Sequence, residues 1–171
     1  MKTIKDTGII ERLEEDLILK ISKALDATDI QSRVHGVFSL DDLESKAEKD
    51  LDGLLAIGVG YQGARNMSQR EATGSANKAT LGQFQFMVLF AAPTDEVCSQ
   101  RTSATAIMTI LRNGVLGKAV EVASDRTVPG REWQSQQRGW EWVEERPQVD
   151  DSTSSMLYYT QIWRITLPVG N

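Results

Sequence analysis

The stretch Phe84-Gln85-Phe86-Met87-Val88-Leu89-Phe90 decides the fold class of this 171-residue chain. Six of its seven residues are apolar, so neither face of a strand formed by it is suited to water. Strands of this kind are covered on both faces by other parts of the protein. The stretch therefore predicts a central strand of a sheet.

Two principal amphipathic helices are predicted, one before this strand and one after it. The first runs over about residues 5–25. The second follows Pro93, with Thr94 as its N-cap, and ends at Gly114. Mostly apolar residues recur every three or four positions in both. These stripes are Ile10, Leu13, Leu17, Ile21 and Leu25 in the first helix and Val97, Arg101, Ala104, Met108 and Leu111 in the second. A shorter helical pattern covers residues 39–52, with Ser39 as its N-cap.

Four further segments have the composition of strands. They cover residues 33–38, 54–59, 140–145 and 156–167, and Pro147 and residues 150–155 supply turn signals between the last two. Together with the helices, this order predicts one α+β domain over residues 1–171. We expect a mainly antiparallel sheet with the two principal helices packed on it.

Residues 61–82 are predicted to form a long flexible loop between two central strands. They contain several glycine, serine and asparagine residues and almost no large apolar residue after Met67. Three cations of this segment are opposed by a single acid; they are Arg65, Arg70 and Lys78. Loops of this length inside a compact domain are usually functional. We therefore expect the three cations to belong to a partner-binding loop.

The composition argues against several classes of function. A net charge of −5 and a sequence pI near 5.0 argue against specific nucleic-acid binding, which depends on basic surfaces. The single histidine, His35, excludes sites that need two imidazoles, and the single cysteine, Cys98, cannot form an internal disulfide. The apolar runs are shorter than the roughly 20 residues that a membrane-spanning helix needs. We expect no metal, no cofactor and no membrane association.

A glycine motif at residues 58–63 leaves one enzymatic alternative open. Gly58-Val59-Gly60-Tyr61-Gln62-Gly63 matches the dinucleotide-binding fingerprint and follows an apolar strand. That fingerprint needs a helix that begins at the glycines and an acid about 20 residues later. Residues 64–82 have no helical stripe, and no acid lies between Glu71 and Asp95. Glycines at the mouth of a flexible loop are the favoured interpretation, and a small nucleotide-binding enzyme is the alternative.

The four tryptophans all lie after residue 132. Trp140 and Trp142 are two positions apart, so on a strand they share a face. Such a pair commonly packs in a core, and it can also anchor a subunit contact or stack single-stranded bases. The residues that form a possible subunit interface are Trp133, Arg138, Trp140 and Trp142.

Charge is unevenly distributed along the chain. The net charge is −5 over residues 1–52, +3 over residues 53–139 and −3 over residues 140–171. An acidic surface of one copy could therefore meet a basic surface of the next copy, as in a head-to-tail ring. Ordinary solvated surface charge explains the same distribution equally well.

The order of elements resembles the tail terminator (neck) proteins of long-tailed bacteriophages, especially those with contractile tails. The matching features are the opening helix 10–25, the strand Leu54-Leu55-Ala56-Ile57-Gly58-Val59-Gly60-Tyr61, the polar loop after it, the strand 84–90, the helix after Pro93 and the terminal strand 158–167. The charged segment 39–52 and the tryptophan-rich segment 131–142 depart from the family pattern.

This resemblance implies a structural virion protein without catalytic residues or a cofactor. Proteins of that family form a hexameric ring on the tail tube, which ends tail elongation and joins the tail to the head-completion proteins. The implied partners are other copies of the chain, the tail tube, the sheath and the neck proteins, and the ring is assembled in the host cytoplasm. Another head–tail joining ring or a tube protein is a further alternative, although two helices argue against the flat β-sandwich of tube proteins.

Overall fold

The computed structural model describes residues 8–28, 30, 32–49, 55–66, 80–93, 97–120, 139–148 and 156–169. Within these ranges the chain forms three helices and five strands. In chain order they are α1 (Ile9–Asp26), β1 (Ser32–Gly36), α2 (Leu40–Lys49), β2 (Leu55–Asn66), β3 (Thr80–Pro93), α3 (Val97–Val115), β4 (Glu141–Gln148) and β5 (Met156–Val169). The predicted α+β class is confirmed. The expected N-cap at Thr94 lies outside the described residues.

β3 is the central strand of one five-stranded sheet, as its apolar sequence predicts. The strand order is β1-β2-β3-β5-β4. β3 is antiparallel to both of its neighbours, and β4 is antiparallel to β5. β1 and β2 are parallel, and α2 lies in the crossover that a parallel pair requires. The sheet is therefore mainly antiparallel, with one parallel pair at an edge.

α1 and α3 cover one face of the sheet and enclose the main core with it. Every second residue of β3 points into this core, as do alternate residues of β5. The core side chains include Leu13, Leu17, Ile21 and Leu25 of α1, Phe84, Phe86, Val88 and Phe90 of β3, Ile107, Met108, Leu111 and Val115 of α3, and Tyr159, Trp163, Ile165 and Leu167 of β5. The predicted stripe of α1 is confirmed, although its first member, Ile10, is only partly buried.

α2 packs on part of the opposite face. Leu43 of this helix and Val37 form a second, smaller cluster with Ala56 and Leu89 of the sheet. Leu89 is fully buried, while the alternate residues of β3 pack on the other side against α1 and α3. β3 is therefore covered on both of its faces, as predicted.

The start of α2 confirms the predicted N-cap. The Ser39 hydroxyl oxygen accepts a hydrogen bond of 3.2 Å from the backbone N–H of Asp42. The Asp42 carboxylate in turn accepts a hydrogen bond of 3.2 Å from the backbone N–H of Phe38. Two donors at the helix start are thus satisfied by side chains, which fixes the residue at which the helix begins.

β2 and β3 extend further than the sequence predicts. The prediction that places residues 61–66 and 80–82 in a flexible loop is wrong, because residues 61–66 belong to β2 and pair with β3, and residues 80–82 belong to β3 and pair with β5. Arg65 lies opposite Gln83, and the register shifts between Tyr61 and Gly63, where Gly63 has a φ of 146°. Polar residues are compatible with a strand that has one face open to water, so polarity did not exclude strands here. Residues 67–79 lie outside the described part of the chain.

Gly114 does not end the last helix, contrary to prediction. α3 continues to Val115, and the chain leaves the helix at Gly117, whose φ is 73°. Gly114 instead faces α1, where a β-carbon added to it would lie 2.4 Å from the β-carbon of Ala24. The missing side chain therefore allows α1 and α3 to approach each other closely.

We expect Gly114→Ala to lower the free energy of unfolding. Alanine favours a helix interior over glycine by about 1 kcal/mol. The clash with Ala24 is expected to outweigh that gain, since overpacking a core contact costs about 1–3 kcal/mol. Urea unfolding of Gly114→Ala, of Ala24→Gly and of the double variant measures the coupling. The double variant should recover stability relative to Gly114→Ala, and an unchanged or increased stability of Gly114→Ala contradicts the clash.

A buried polar cluster joins α1 to the residue that precedes β4. The Asp16 carboxylate is buried and accepts a hydrogen bond of 2.8 Å from the indole Nε1 of Trp140. Its other oxygen accepts a hydrogen bond of 2.7 Å from Nζ of Lys20, which is also buried. Burial of two opposite charges is tolerated only when they are paired in this way.

Asp16→Ala should destabilise the fold strongly, because it leaves the Lys20 ammonium buried without its carboxylate. Breaking a buried pair on one side costs about 3–5 kcal/mol. Trp140→Phe removes the indole N–H, at a cost of about 1–3 kcal/mol, and also leaves a cavity in the core that adds to this cost. Glu15→Ala is the matched control, since Glu15 is the exposed neighbour of Asp16 on the same helix. Thermal and urea unfolding that gave equal losses for Asp16→Ala and Glu15→Ala would contradict this role for the cluster.

Candidate interaction surfaces

The glycine motif at residues 58–63 lies inside β2 and does not form a strand-to-helix turn. β2 continues to Asn66, so no helix N-terminus is present at the glycines to bind a pyrophosphate. Added β-carbons would lie 2.8 Å from a Val37 methyl at Gly58 and 2.7 Å from the Val37 carbonyl oxygen at Gly60. These two glycines therefore allow the segment at Val37 to pack closely against the sheet.

The described residues contain no arrangement that indicates metal chemistry. No group of three histidine, cysteine, aspartate or glutamate side chains is close enough there to hold a metal ion. His35 lies on β1 opposite Gly58, and Cys98 lies in the first turn of α3. None of the helices, as far as the structure describes them, is long and apolar enough to cross a membrane.

Of the three predicted loop cations, the structure describes Arg65. Its side chain is exposed at the end of β2, and its Nε donates a hydrogen bond of 2.7 Å to the Gln83 side-chain oxygen on β3. Arg70 and Lys78 lie outside the described residues. The strands therefore fix the base of the hairpin, and the binding role of all three cations stays a prediction.

Trp140 and Trp142 lie on the same side of the sheet but differ in exposure. Trp140 is 0% exposed and belongs to the main core, so its side chain is not available for a subunit contact. Trp142 is 39% exposed at the start of β4. The Trp142 ring lies on the side of the sheet that α3 covers, because Trp142 pairs with Trp163 of the main core and lies against Arg112. Trp133 and Arg138 lie outside the described residues.

Trp142 is held from one side by α3. The guanidinium carbon of Arg112 lies 5.0 Å from the centre of the Trp142 ring, a cation–π arrangement. Arg112 Nε lies 3.6 Å from a carboxylate oxygen of Glu145, which is ion-pair distance but too long for a hydrogen bond. The exposed indole is thus fixed in position by a cation that itself faces an acid.

Gln161 connects this surface to the core. Its side-chain amide, fully buried on β5, donates hydrogen bonds of 2.9 Å to the Glu145 carboxylate and 3.0 Å to the Met108 carbonyl oxygen. Its oxygen accepts a hydrogen bond of 3.2 Å from the indole Nε1 of Trp163. Every polar atom of this amide is therefore used, as burial requires. The signal in the sequence was a lone polar residue among the apolar ones of that face, and the sequence analysis missed it.

Exposed apolar side chains lie at both edges of the sheet. At the β4 edge, Trp142 is accompanied by Val143, which is 41% exposed, and by Leu116, which is 53% exposed after α3. The backbone N–H of Gly117 donates a hydrogen bond of 2.8 Å to the carbonyl oxygen of Trp140, which brings Leu116 beside the start of β4. At the β1 edge, Phe38 is fully exposed.

Charged side chains surround the end of β1. Nζ of Lys46 donates hydrogen bonds of 2.6 Å to the carbonyl oxygen of Gly36 and 2.9 Å to the Asp42 carboxylate. The hydrogen bond from Lys46, followed by that from the Phe38 N–H, lowers the pKa of Asp42 below its ordinary value. Burial, followed by repulsion from Glu11, raises the pKa of Glu14, which packs against Gly36.

The described residues form an α+β fold with exposed apolar side chains near both edges of its sheet. No known protein family and no curated protein matches the sequence. The fold is similar to that of a chain in the solved virion of a native gene transfer agent (GTA) particle. The TM-score is 0.53 at 9% sequence identity, and the match covers 95% of this chain and 99% of that chain. This likeness shows a shared fold along almost the whole chain.

The raised pKa of Glu14 predicts a pH-dependent effect of Glu14→Gln. The folded state favours the protonated carboxyl, so the stability that Glu14 contributes is present below its unfolded pKa and is lost as the pH rises through its folded pKa. Glu14→Gln should therefore stabilise the protein at pH 7 and have little effect near pH 3.5. Urea unfolding at both values measures this difference. Glu15→Gln, at an exposed neighbour, is the control, and a stabilisation by Glu14→Gln that is equal at both pH values would refute the assignment.

Proposed function

We propose that this chain is a structural virion protein that forms a hexameric ring at the end of a tail tube. In that position it ends tail elongation and joins the tail to the head-completion proteins. The observation that carries the proposal is the fold shared over 95% of the chain with a component of a gene transfer agent virion. The resemblance of the element order to tail terminators supports the same assignment. Catalysis has no part in this function.

Ring formation requires that one surface of each copy binds a different surface of its neighbour. A single sheet with two chemically different edges meets this requirement better than a self-complementary patch does. The uneven charge along the chain supports head-to-tail contact as well, since segments of net −5 and +3 attract each other between copies. Other copies of the chain are therefore the first partners in this proposal.

The hairpin of β2 and β3 is proposed to contact the tail tube. Its paired strands place Arg65 at the base of the segment that contains Arg70 and Lys78. In this proposal these three cations bind an acidic surface of the tube, of the sheath or of the ring lumen. By binding the tube, the chain becomes part of the virion, which is assembled in the host cytoplasm.

The alternative function, a nucleotide-binding enzyme, receives no support from residues 58–63. These residues lie within β2, and Val37 packs against them. Another head–tail joining ring of the same virion is consistent with the shared fold. The two structural functions differ in what they bind, because only a terminator caps a growing tube. Tube binding therefore separates them.

Light scattering of the purified chain over a range of concentrations tests ring formation. Six copies of the 19.0-kDa chain give a species of about 114 kDa. Loss of this species at high salt would show that charge contributes to the contact. A chain that stays monomeric and also fails to bind the ends of tail tubes contradicts the proposal, and so does a dimer that binds nucleotide stoichiometrically.

Reversal of the loop charges should prevent docking to the tube without unfolding the chain. The variant carries Arg65→Glu, Arg70→Glu and Lys78→Glu, and its binding to tail tubes is measured by co-sedimentation. The matched control carries Arg65→Lys, Arg70→Lys and Lys78→Arg, which keeps all three charges, and it should bind normally. Circular dichroism checks the fold of both. Unchanged binding of the charge-reversed variant would show that the loop is not the contact.

A further inference from the structure

We propose that a surface at the end of α3 and the start of β4 binds the acidic outer face of α1 in the next copy of the chain. This α3–β4 surface consists of Arg112, Leu116, Trp142 and Val143. Its occupant is a second copy, and the contact joins two different surfaces, as a closed ring requires. The inference rests on the proposed ring and adds the contact through which it closes.

The α3–β4 surface holds a cluster of exposed apolar side chains. Among the described residues, three of the six exposed large apolar side chains belong to it, and they are Leu116, Trp142 and Val143. Single exposed apolar residues are common on protein surfaces, whereas a cluster marks a binding site. The Trp142 ring is also held in place by Arg112. An exposed indole in a fixed position is typical of the residues that dominate binding at interfaces.

β4 is poorly suited to pairing with another strand, so the partner binds the side chains of this surface and not its backbone. β4 pairs with β5 at Trp142 and at Glu144 but not at Val143 between them, which makes Val143 an extra residue in a β-bulge. Further along the strand, Pro147 lacks a backbone N–H, and Glu144 and Arg146 are exposed. Bulges, prolines and charges are the features that keep edge strands from pairing.

Cations at the α3–β4 surface select an acidic partner. The Arg112 side chain is 34% exposed, and within the described residues one of its terminal nitrogens donates a hydrogen bond of 3.3 Å to the Thr109 hydroxyl. Its Nε has no hydrogen-bond partner, since the Glu145 carboxylate oxygen is 3.6 Å away. An arginine that stacks on an aromatic ring binds a carboxylate through the N–H groups at its rim. Lys118, two residues after Leu116, is a second exposed cation.

The acids of β4 beside this surface are already engaged within the chain. The Glu145 carboxylate accepts a hydrogen bond of 2.9 Å from the buried Gln161 amide. A carboxylate oxygen of Glu144 lies 3.6 Å from a guanidinium nitrogen of Arg146. The two cations near the apolar cluster are therefore available to carboxylates from another copy.

The outer side of α1 combines carboxylates with an exposed apolar side chain. Glu11, Glu15 and Leu19 follow one another every four residues, so they form one stripe along the helix, the acidic face of α1. All three are exposed, and Leu19 is 56% exposed. Two cations of this helix, Arg12 and Lys23, have interactions of their own within the chain. An apolar side chain one turn from a carboxylate complements an apolar cluster beside two cations.

The two surfaces lie at different sides of the molecule. α1 packs on β1 and β2, which are the strands of the sheet farthest from β4. Its acidic face points away from the core, because Leu13, Leu17 and Ile21 on the other side of the helix are buried there. Since the surfaces do not overlap, one copy can bind a different neighbour with each, which is the arrangement of a ring.

Two other exposed apolar side chains match the α3–β4 surface less well in charge. Phe38 precedes α2, where the Asp42 carboxylate is already bound by Lys46 and by the Phe38 N–H. Asp41 is left as the exposed acid of that first turn. Tyr61 is followed on β2 by a cation and by no acid. The acidic face of α1, with two exposed carboxylates, is therefore the better partner, and Phe38 serves as the control.

Mixing two variants that each lack one surface tests the contact. Leu19→Glu removes the apolar side chain of the acidic face, and Leu116→Glu places a carboxylate in the apolar cluster, so each variant alone should lose the 114-kDa species. Each keeps one intact surface, so an equal mixture should form a dimer of about 38 kDa and nothing larger in light scattering. Phe38→Glu should keep the 114-kDa species. All three positions are exposed, and circular dichroism checks the folds.

Disulfide cross-linking in the full-length chain supplies a second arm. The variant Cys98→Ser, Leu19→Cys, Leu116→Cys has no other thiol, and oxidation with diamide should give a ladder of linked copies that ends at six on non-reducing gels. Chains with Cys98→Ser and only one of the two new cysteines should give no linked dimer, because the contact joins different positions. Phe38→Cys in place of Leu19→Cys should give no ladder.

The outcomes separate this contact from the ring itself. A ring of six copies that survives Leu19→Glu and gives no Leu19–Leu116 link overturns the contact and leaves the proposed ring intact. Loss of the ring with Phe38→Glu but not with Leu19→Glu overturns the assignment to α1. A dimer from the mixture, together with an unaltered chain whose assembly does not stop at six, supports the contact and contradicts the hexameric ring. A chain that neither assembles nor cross-links overturns the contact.

Discussion

The buried carboxylate of Asp16 joins α1 to Trp140, the residue that precedes β4. It accepts hydrogen bonds from Lys20 on its own helix and from the indole of Trp140, which is 124 positions away in the sequence. The charged cluster is enclosed by the main core, so it tolerates few other arrangements. The position of Trp140 in turn fixes where β4 begins, because its backbone also pairs with Gly117 and Lys118 after α3. The β4 edge and its exposed indole therefore depend on a bond formed deep inside the molecule.

A second hydrogen-bond network, centred on Gln161, connects the core to the surface at β4. The Gln161 amide donates hydrogen bonds to the Met108 carbonyl oxygen of α3 and to Glu145 of β4, and it accepts one from Trp163. Because both hydrogens and the oxygen are engaged, the strand cannot shift its register without stranding a buried polar group. Glu145 and Arg112 then hold Trp142 at the surface. The geometry of the surface at this edge is thus set by hydrogen bonds and packing that reach into the core.

Much of the fold could be predicted from local sequence patterns, whereas the candidate interaction surfaces could not. The apolar run at residues 84–90 identified the central strand, and Ser39 identified the start of α2, because both signals act within a few residues. Gly114 was misinterpreted, and the hydrogen bond of Trp140 to Asp16 was missed, because both depend on residues far away in sequence. Residues 61–66 are polar, so their sequence is typical of a loop when the strand they pair with is not considered.

The pairing of β3 with β5 determines the order in which the strands join the sheet during folding. These strands join residues that lie about 70 positions apart, so their contact forms late compared with the local hairpin of β2 and β3. β4 pairs with β5 and has no other strand partner in the described sheet, so its outer edge exists only after β5 has docked. A chain whose last strand has not been added therefore exposes the edge of β3 that β5 later covers.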